Sequence, residues 1–168
     1  MSIFKEIILN ASRVLTYMVY IISIYYLCIS FFGIWKRKDE QEVGPKNSFA
    51  LIIAAHNEEA VIMDILESLN GLEYPRELYD VFVIADNCTD NTALKAREKG
   101  AIVYERVDAN KRGKGYALEW MFRKIFNMRK KYDAIAIFDA DNLVHKNFLK
   151  EMNKQLSKGY KVVQGYLD

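Results

Sequence analysis

Cysteine, proline and histidine are scarce, with two of each among the 168 residues. Cys28 sits in an apolar run and Cys88 in a polar turn, so no structural disulfide is expected, and a reducing compartment suits the chain. So little proline in a chain that is 51% hydrophobic excludes a disordered or low-complexity protein. No Cys/His cluster has the spacing of a zinc site, so His56 and His145 carry no assigned role. Neither a GxxxxGKS/T loop nor a GxGxxG fingerprint follows the first apolar run, which sets aside the common phosphate-loop and dinucleotide folds. There is no internal repeat, and the length does not accommodate two full domains. The formal net charge is only +2, so no nucleic-acid partner is expected.

Charge is also missing from Leu15 to Trp35, LTYMVYIISIYYLCISFFGIW, a run long enough to cross a hydrocarbon core of about 30 Å as a helix. The run exceeds the apolar core of a signal peptide and lacks a small-x-small cleavage site. It is therefore read as a membrane span within an anchor of residues 1–38. Lys36, Arg37 and Lys38 follow it, and only Lys5, Glu6 and Arg13 precede it, which places the remainder in the cytoplasm of a single-pass protein of the cell membrane. Residues 39–48, DEQEVGPKNS, read as a linker.

From Phe49 to the end, short β-rich apolar runs alternate with amphipathic stretches, the pattern of βα units on a largely parallel sheet. The expected strands are FALIIAA (49–55), DVFVIA (80–85), AIVYERV (101–107), AIAIFD (134–139) and KVVQGY (161–166). Between them the periodicity predicts a helix capped by Asn57 and running to about Leu69. Further helices are predicted over residues 92–99, closed by Gly100, over 116–130, and from about Lys146 to Leu156.

In an open α/β sheet the ligand sits outside the carboxyl ends of the strands, where loops and helix N-termini converge. Those ends read His56-Asn57-Glu58, Asp86 to Asp90, Lys111 to Gly115, and Asp139-Ala140-Asp141. Two carboxylates one residue apart after an apolar strand suit Mg²⁺ or Mn²⁺ bridging a diphosphate; the alternative is a turn or a helix cap. Asp86 has the chemistry to accept a hydrogen bond from a base N–H or a ribose hydroxyl, whereas Asp90 better fits a turn. Lys114 lies in a loop with two glycines, where an ammonium balances phosphates; for Lys111 and Arg112 a solvated basic loop is an equal alternative.

Taken in order, LIIAAHNEE, VIADNCTDNT, KRGKGYAL and IFDADNLV resemble the family 2 glycosyltransferases of GT-A fold, from about Ser48 onward. The resemblance implies an α/β, Rossmann-like domain over residues 49–168. It implies that Ala55, Asn57, Glu58, Asp86, Lys114 and Asp139 hold a nucleotide sugar, with uridine as the base, and that Asp141 holds the metal. It implies inverting hexosyl transfer from a UDP-sugar to the hydroxyl of a glycan or lipid-linked acceptor, at a membrane, as in polysaccharide synthases. The family's acceptor half, with its acidic general base and QxxRW motif, has no counterpart here, and no residue is nominated as base. A partner chain completing the site is one expectation. The alternative is a non-catalytic, membrane-tethered nucleotide-sugar-binding module or remnant.

Overall fold

The computed structural model describes residues 2–33 and 43–165. Two compact units form, Met1–Gln41 and Glu42–Asp168. The described residues of the first form one helix, α1 (Ser2–Gly33), and its stretch from Ile3 to Phe32 is long and apolar enough to cross a membrane. It starts well before the charge-free run, because SIFKEIILNASR contains no helix breaker and lets Lys5, Glu6 and Arg13 extend the same helix. Trp35, the Lys36 to Lys38 cluster and residues 39–42 of the expected linker lie outside the described residues.

The second unit is built on four parallel strands, β1 (Phe49–Ala55), β2 (Tyr79–Asp86), β3 (Ile102–Arg106) and β4 (Ala134–Phe138), in the order β3-β2-β1-β4. Helices α2 (Ile62–Asn70), α3 (Thr92–Glu98), α4 (Lys114–Asn127) and α5 (Phe148–Ser157) cover the sheet, and a 3₁₀ turn, Arg76–Leu78, leads into β2. β1 and β2 are apolar almost throughout because both faces are covered. Phe49, Leu51, Ile53, Tyr79, Val81 and Val83 point to one face, against Ile62, Ile65, Leu66 and Leu69 of α2, Ala96 of α3 and Leu149 of α5. Ala50, Ile52, Phe82 and Ile84 point to the other, against Ala117, Met121 and Ile125 of α4. Each face thus excludes water over large aliphatic side chains, at roughly 25 cal/mol per Å² of apolar surface.

The chain moves outward from β1 through β2 to β3, then crosses by α4 to β4 on the far side of β1. The strand order therefore reverses between β1 and β4, and a crevice opens there at the strands' carboxyl ends. Among the described residues β4 is an edge, with Ile137 45% exposed. An open groove of about 1750 Å³ follows it, and Asp139 and Asp141 belong to its lining.

Three sequence expectations are corrected. Asn57 does not cap α2: it adopts φ 55°, its side-chain Oδ1 accepts from Thr89 N–H, and the helix starts five residues later, after Val61. Lys114 belongs to α4, which begins at that residue rather than at Tyr116. KVVQGY forms no strand over its described residues 161–165, and among the described residues no strand lies beside β4 on that side. Short apolar runs reveal extended propensity, but a strand needs a partner's N–H and C=O groups.

Two polar devices close the unit. Asn153 of α5, fully buried, accepts at Oδ1 from Lys46 N, Asn47 N, Asn47 Nδ2 and Tyr74 Oη, and donates from Nδ2 to the carbonyls of Val43 and Gly44. It pins the segment that feeds β1. Near the opposite end of α5, Glu73 bridges Lys146 and Lys150, both at 2.6 Å, and their hydrogen bonds and charge lower its pKa to about 2. A lowered folded-state value means that this bridge is complete above the ordinary glutamate range and is lost as pH falls toward about 2. NMR titration should place the Glu73 carboxyl midpoint there, and a Lys146→Ala/Lys150→Ala variant should return it to about 4.3. A midpoint already near 4.3 in the native chain would refute the bridge.

Candidate functional site

Strand register assembles the site. Ala55 pairs with Ala85, Asp86 pairs with Arg106, and Ile53 pairs with Phe138, so His56, Asp86, Arg106 and Asp139 all emerge at one edge of the sheet. Asn57 and Asn87, the first loop positions after β1 and β2 to turn sharply, have φ 55° and 52°, a conformation asparagine tolerates better than most residues. The two loops are then stitched together. Thr89 N–H donates to Asn57 Oδ1 at 2.8 Å, Glu58 N–H to Thr92 Oγ1 at 2.9 Å, and Glu59 N–H to Asp90 Oδ2 at 3.1 Å. His56 Nδ1 donates to the Asp86 carbonyl at 2.7 Å, which fixes the tautomer and leaves Nε2 for another partner.

Asp90 serves this stitching. Burial works against its ionisation, but Thr92 Oγ1 at 2.6 Å and the N–H groups of Thr92 and Glu59 hold its carboxyl below the usual range. Cys88 lies under the same loops, its thiol 3.5 Å from the Ala55 carbonyl, and burial pushes its pKa up. It is a packed thiol rather than a nucleophile. Ala55 itself is buried, and its carbonyl faces the Cys88 thiol.

Asp86 is 5% exposed and Arg106, which the sequence reading did not single out, is 6% exposed. Arg106 Nη1 donates to Asp86 Oδ1 at 2.5 Å, while Nη2 donates to the Lys111 carbonyl at 2.7 Å and to Asp108 Oδ2 at 3.2 Å. Asp108 orders the loop in turn: N–H bonds from Lys111 at 2.9 Å and Asn110 at 3.0 Å hold its pKa below the ordinary value, against a smaller effect of burial. The available signal was an arginine at the carboxyl end of a strand, the one fully buried position of IVYER.

Gly113, at φ 108°, ends the loop and starts α4; any other residue there is strained. The next residue, Lys114, carries its ammonium across the crevice to Asp139 Oδ1. Lys114 and Asp139 are about half exposed, and Asp141, two residues on, is exposed as well. The structure thus brings Asp86, Lys114, Asp139, Asp141 and the Asn57–Glu58 loop to one edge, and leaves His145 on the exposed turn before α5. Among the described residues no three His, Cys, Asp or Glu side chains converge as a complete metal site. Asp139 and Asp141 do fit a hard divalent cation that keeps open positions for water and phosphate oxygens.

Sheet order, helix placement and crevice define a GT-A-type α/β domain. A mannosyltransferase from Pyrobaculum calidifontis, solved with GDP-Man and Mn²⁺, shares the fold: TM-score 0.62 over 80% of this chain and 39% of that one, at 21% identity. Glucosyl-3-phosphoglycerate synthase from Mycobacterium tuberculosis, solved with Mn²⁺, UDP-glucose and phosphoglyceric acid, is similar at 26% identity and TM-score 0.52 over 67% of this chain and 40% of that one. In sequence, the chain is 32% identical over 113 residues to β-monoglucosyldiacylglycerol synthase from Synechocystis sp., covering 64% of this chain and 22% of that protein. The family model described as "Glycosyltransferase like family 2" matches residues 45–168, and the chain belongs to that family. It spans about a fifth to a quarter of the length of the curated relatives it matches.

Proposed function

We propose that this chain is the donor-binding half of an inverting, metal-dependent family 2 glycosyltransferase that takes a UDP-sugar. The observation that carries the reading is the meeting of Lys114 with Asp139, beside Asp141, at the crevice where strand order reverses. Asp86 accepts from the base, the Ala55 main chain and the Asn57–Glu58 loop border the nucleoside, and Lys114 faces the diphosphate. Asp139 contacts nucleotide or sugar, and Asp141 holds Mg²⁺ or Mn²⁺. Bound there, the cation neutralises charge developing on the departing UDP. In the transfer, an acceptor hydroxyl oxygen forms a bond to the sugar's anomeric carbon, the bond to the UDP oxygen breaks, and a base takes the hydroxyl proton. The described strand ends offer no residue suited to be that base, so the acceptor half belongs to further sequence or to a partner chain. The acceptor is a glycan or lipid-linked hydroxyl, in keeping with the synthase relatives.

Residues 1–38 act as the anchor and 39–48 as the linker, with residues 49–168 in the cytoplasm where nucleotide sugars are made available. The apolar length of α1 supports the anchor, and the excess of Lys36, Arg37 and Lys38 after the span supports the cytoplasmic side. Calorimetric titration of UDP into the detergent-solubilised chain tests the donor site. Binding that requires Mn²⁺ or Mg²⁺ and disappears with a chelator is expected. Absence of binding under every metal condition would overturn the reading in favour of a remnant without a ligand.

A further inference from the structure

We propose that the carboxyl-terminal end of α4, with the turn that follows it, is a contact surface for an anionic lipid bilayer. The proposal rests on the anchor reading of α1 given above and adds a second contact, made by the folded unit itself. Residues 120–132, WMFRKIFNMRKKY, hold five bases and no acid. Ala117, Met121 and Ile125 bury one face of α4 against the sheet, while Arg123, Lys124, Phe126, Arg129, Lys130 and Lys131 are exposed. Arg123 pairs with Glu119 and Lys130 with Asp80, each at 2.6 Å. Asp133 is taken by Ser48, accepting from its N–H and Oγ at 2.8 Å, and Glu77 stands beside Lys130, which donates to its main-chain carbonyl at 3.5 Å. Among the described residues Lys124, Arg129 and Lys131 have no carboxylate partner. Lys124 lies over the rings of Trp120 and Tyr104, 4.5 and 5.3 Å from their centroids, and Lys131 Nζ donates to the Phe126 carbonyl at 2.7 Å.

A helix C-terminus favours a cation by itself, but not an aromatic ring left in water among several. Phe126 is 64% exposed, its ring 6.3 Å from that of Phe122. Rings set among lysines and arginines suit the headgroup layer, with the rings at the acyl boundary and the bases at lipid phosphates. Nucleic acid fits less well, because Lys124 already covers the rings of Trp120 and Tyr104 on which a base would stack. The placement in the unit agrees. The chain enters the unit through residues 43–48, and Ser48 bonds Asp133 directly after the basic turn, so the segment coming from α1 arrives at the patch's own end of the sheet. Lys114 begins α4 at the crevice, and Asn127 ends it about 20 Å away at 1.5 Å per residue, so a bilayer against the patch leaves the crevice uncovered.

Lysine acetylation of the full chain in lipid nanodiscs, followed residue by residue by mass spectrometry, tests this. The discs are phosphatidylcholine alone or with about 30% phosphatidylglycerol, which supplies the negative surface potential. In the anionic discs Lys124 and Lys131 should react at least about threefold more slowly than in the neutral ones, since each base near a charged surface strengthens binding several-fold. Lys111, exposed in the loop at the opposite edge, reports any general effect of surface charge and should keep its rate. Salt at about 1 M, where the screening length is about 3 Å, should remove most of the difference. Phe126→Ser/Arg129→Gln alters two exposed side chains, so it should melt within a few degrees of the native chain yet lose most of the protection. Equal rates in the two discs, or protection that survives salt or the double variant, would overturn the proposal while the anchor stands. Protection by heparin but not by anionic discs would assign the patch to a soluble polyanion and overturn it as well. A chain that elutes with neither disc overturns the anchor reading and this inference with it.

Discussion

Asp141→Ala should abolish metal-dependent UDP binding, weakening it at least about 100-fold, because two protein carboxylates cannot lose one and still offset the charge of a cation and a diphosphate. Asp139→Ala should weaken binding by a similar order, since it removes the oxygen that orients the Lys114 ammonium as well as a donor contact. Both acids are exposed, and an ion pair as open as Lys114–Asp139 contributes at most about 1 kcal/mol to folding. The variants should therefore melt within a few degrees of the native chain, and calorimetry reads the site alone. Native-like UDP affinity in Asp141→Ala with Mn²⁺ present would remove that residue from the site.

Asn153→Ala should give a large loss of stability although it lies outside the apolar core. The side chain satisfies two backbone N–H groups and two side-chain donors from the segment before β1 and from Tyr74, with backbone carbonyls of Val43 and Gly44 on its other end. Truncation leaves several of these buried without partners, at about 1–3 kcal/mol each where water cannot enter, so a total of about 3 kcal/mol is expected. Urea unfolding followed by tryptophan fluorescence should show the midpoint falling with an unchanged slope. Asn153→Leu, which refills the volume but supplies no hydrogen bond, should lose as much; recovery of stability by leucine would mean that packing rather than polarity matters there.

These two residues differ in how far sequence alone reveals them. The place of Asp139 and Asp141 at a strand's carboxyl end was legible because an apolar run leads straight into them. Asn153 was not: in FLKEMNKQLS it looks like one more polar residue of an amphipathic helix, and only docking of residues 43–47 onto α5 buries it. Arg106 was missed for the same reason, since its partner lies twenty residues away in sequence and beside it in register. Asn57 was misread because cap and left-handed turn favour the same residue type, and the choice was made by Thr89 N–H arriving from another loop.

Local order was thus determined by the sequence itself: an apolar helix near the N-terminus, four of the five expected strands, the helices between them, and the order in which acids and a lysine follow the strand ends. Periodicity and side-chain chemistry are properties of neighbours along the chain, so they can be read there. What only the tertiary structure decided is the crossing of β4 to the far side of β1, the commitment of Asp86 Oδ1 to Arg106, and the meeting of Lys114 with Asp139. Those depend on which distant groups share a buried space, because a charge or amide removed from water must find its partner wherever the fold brings one.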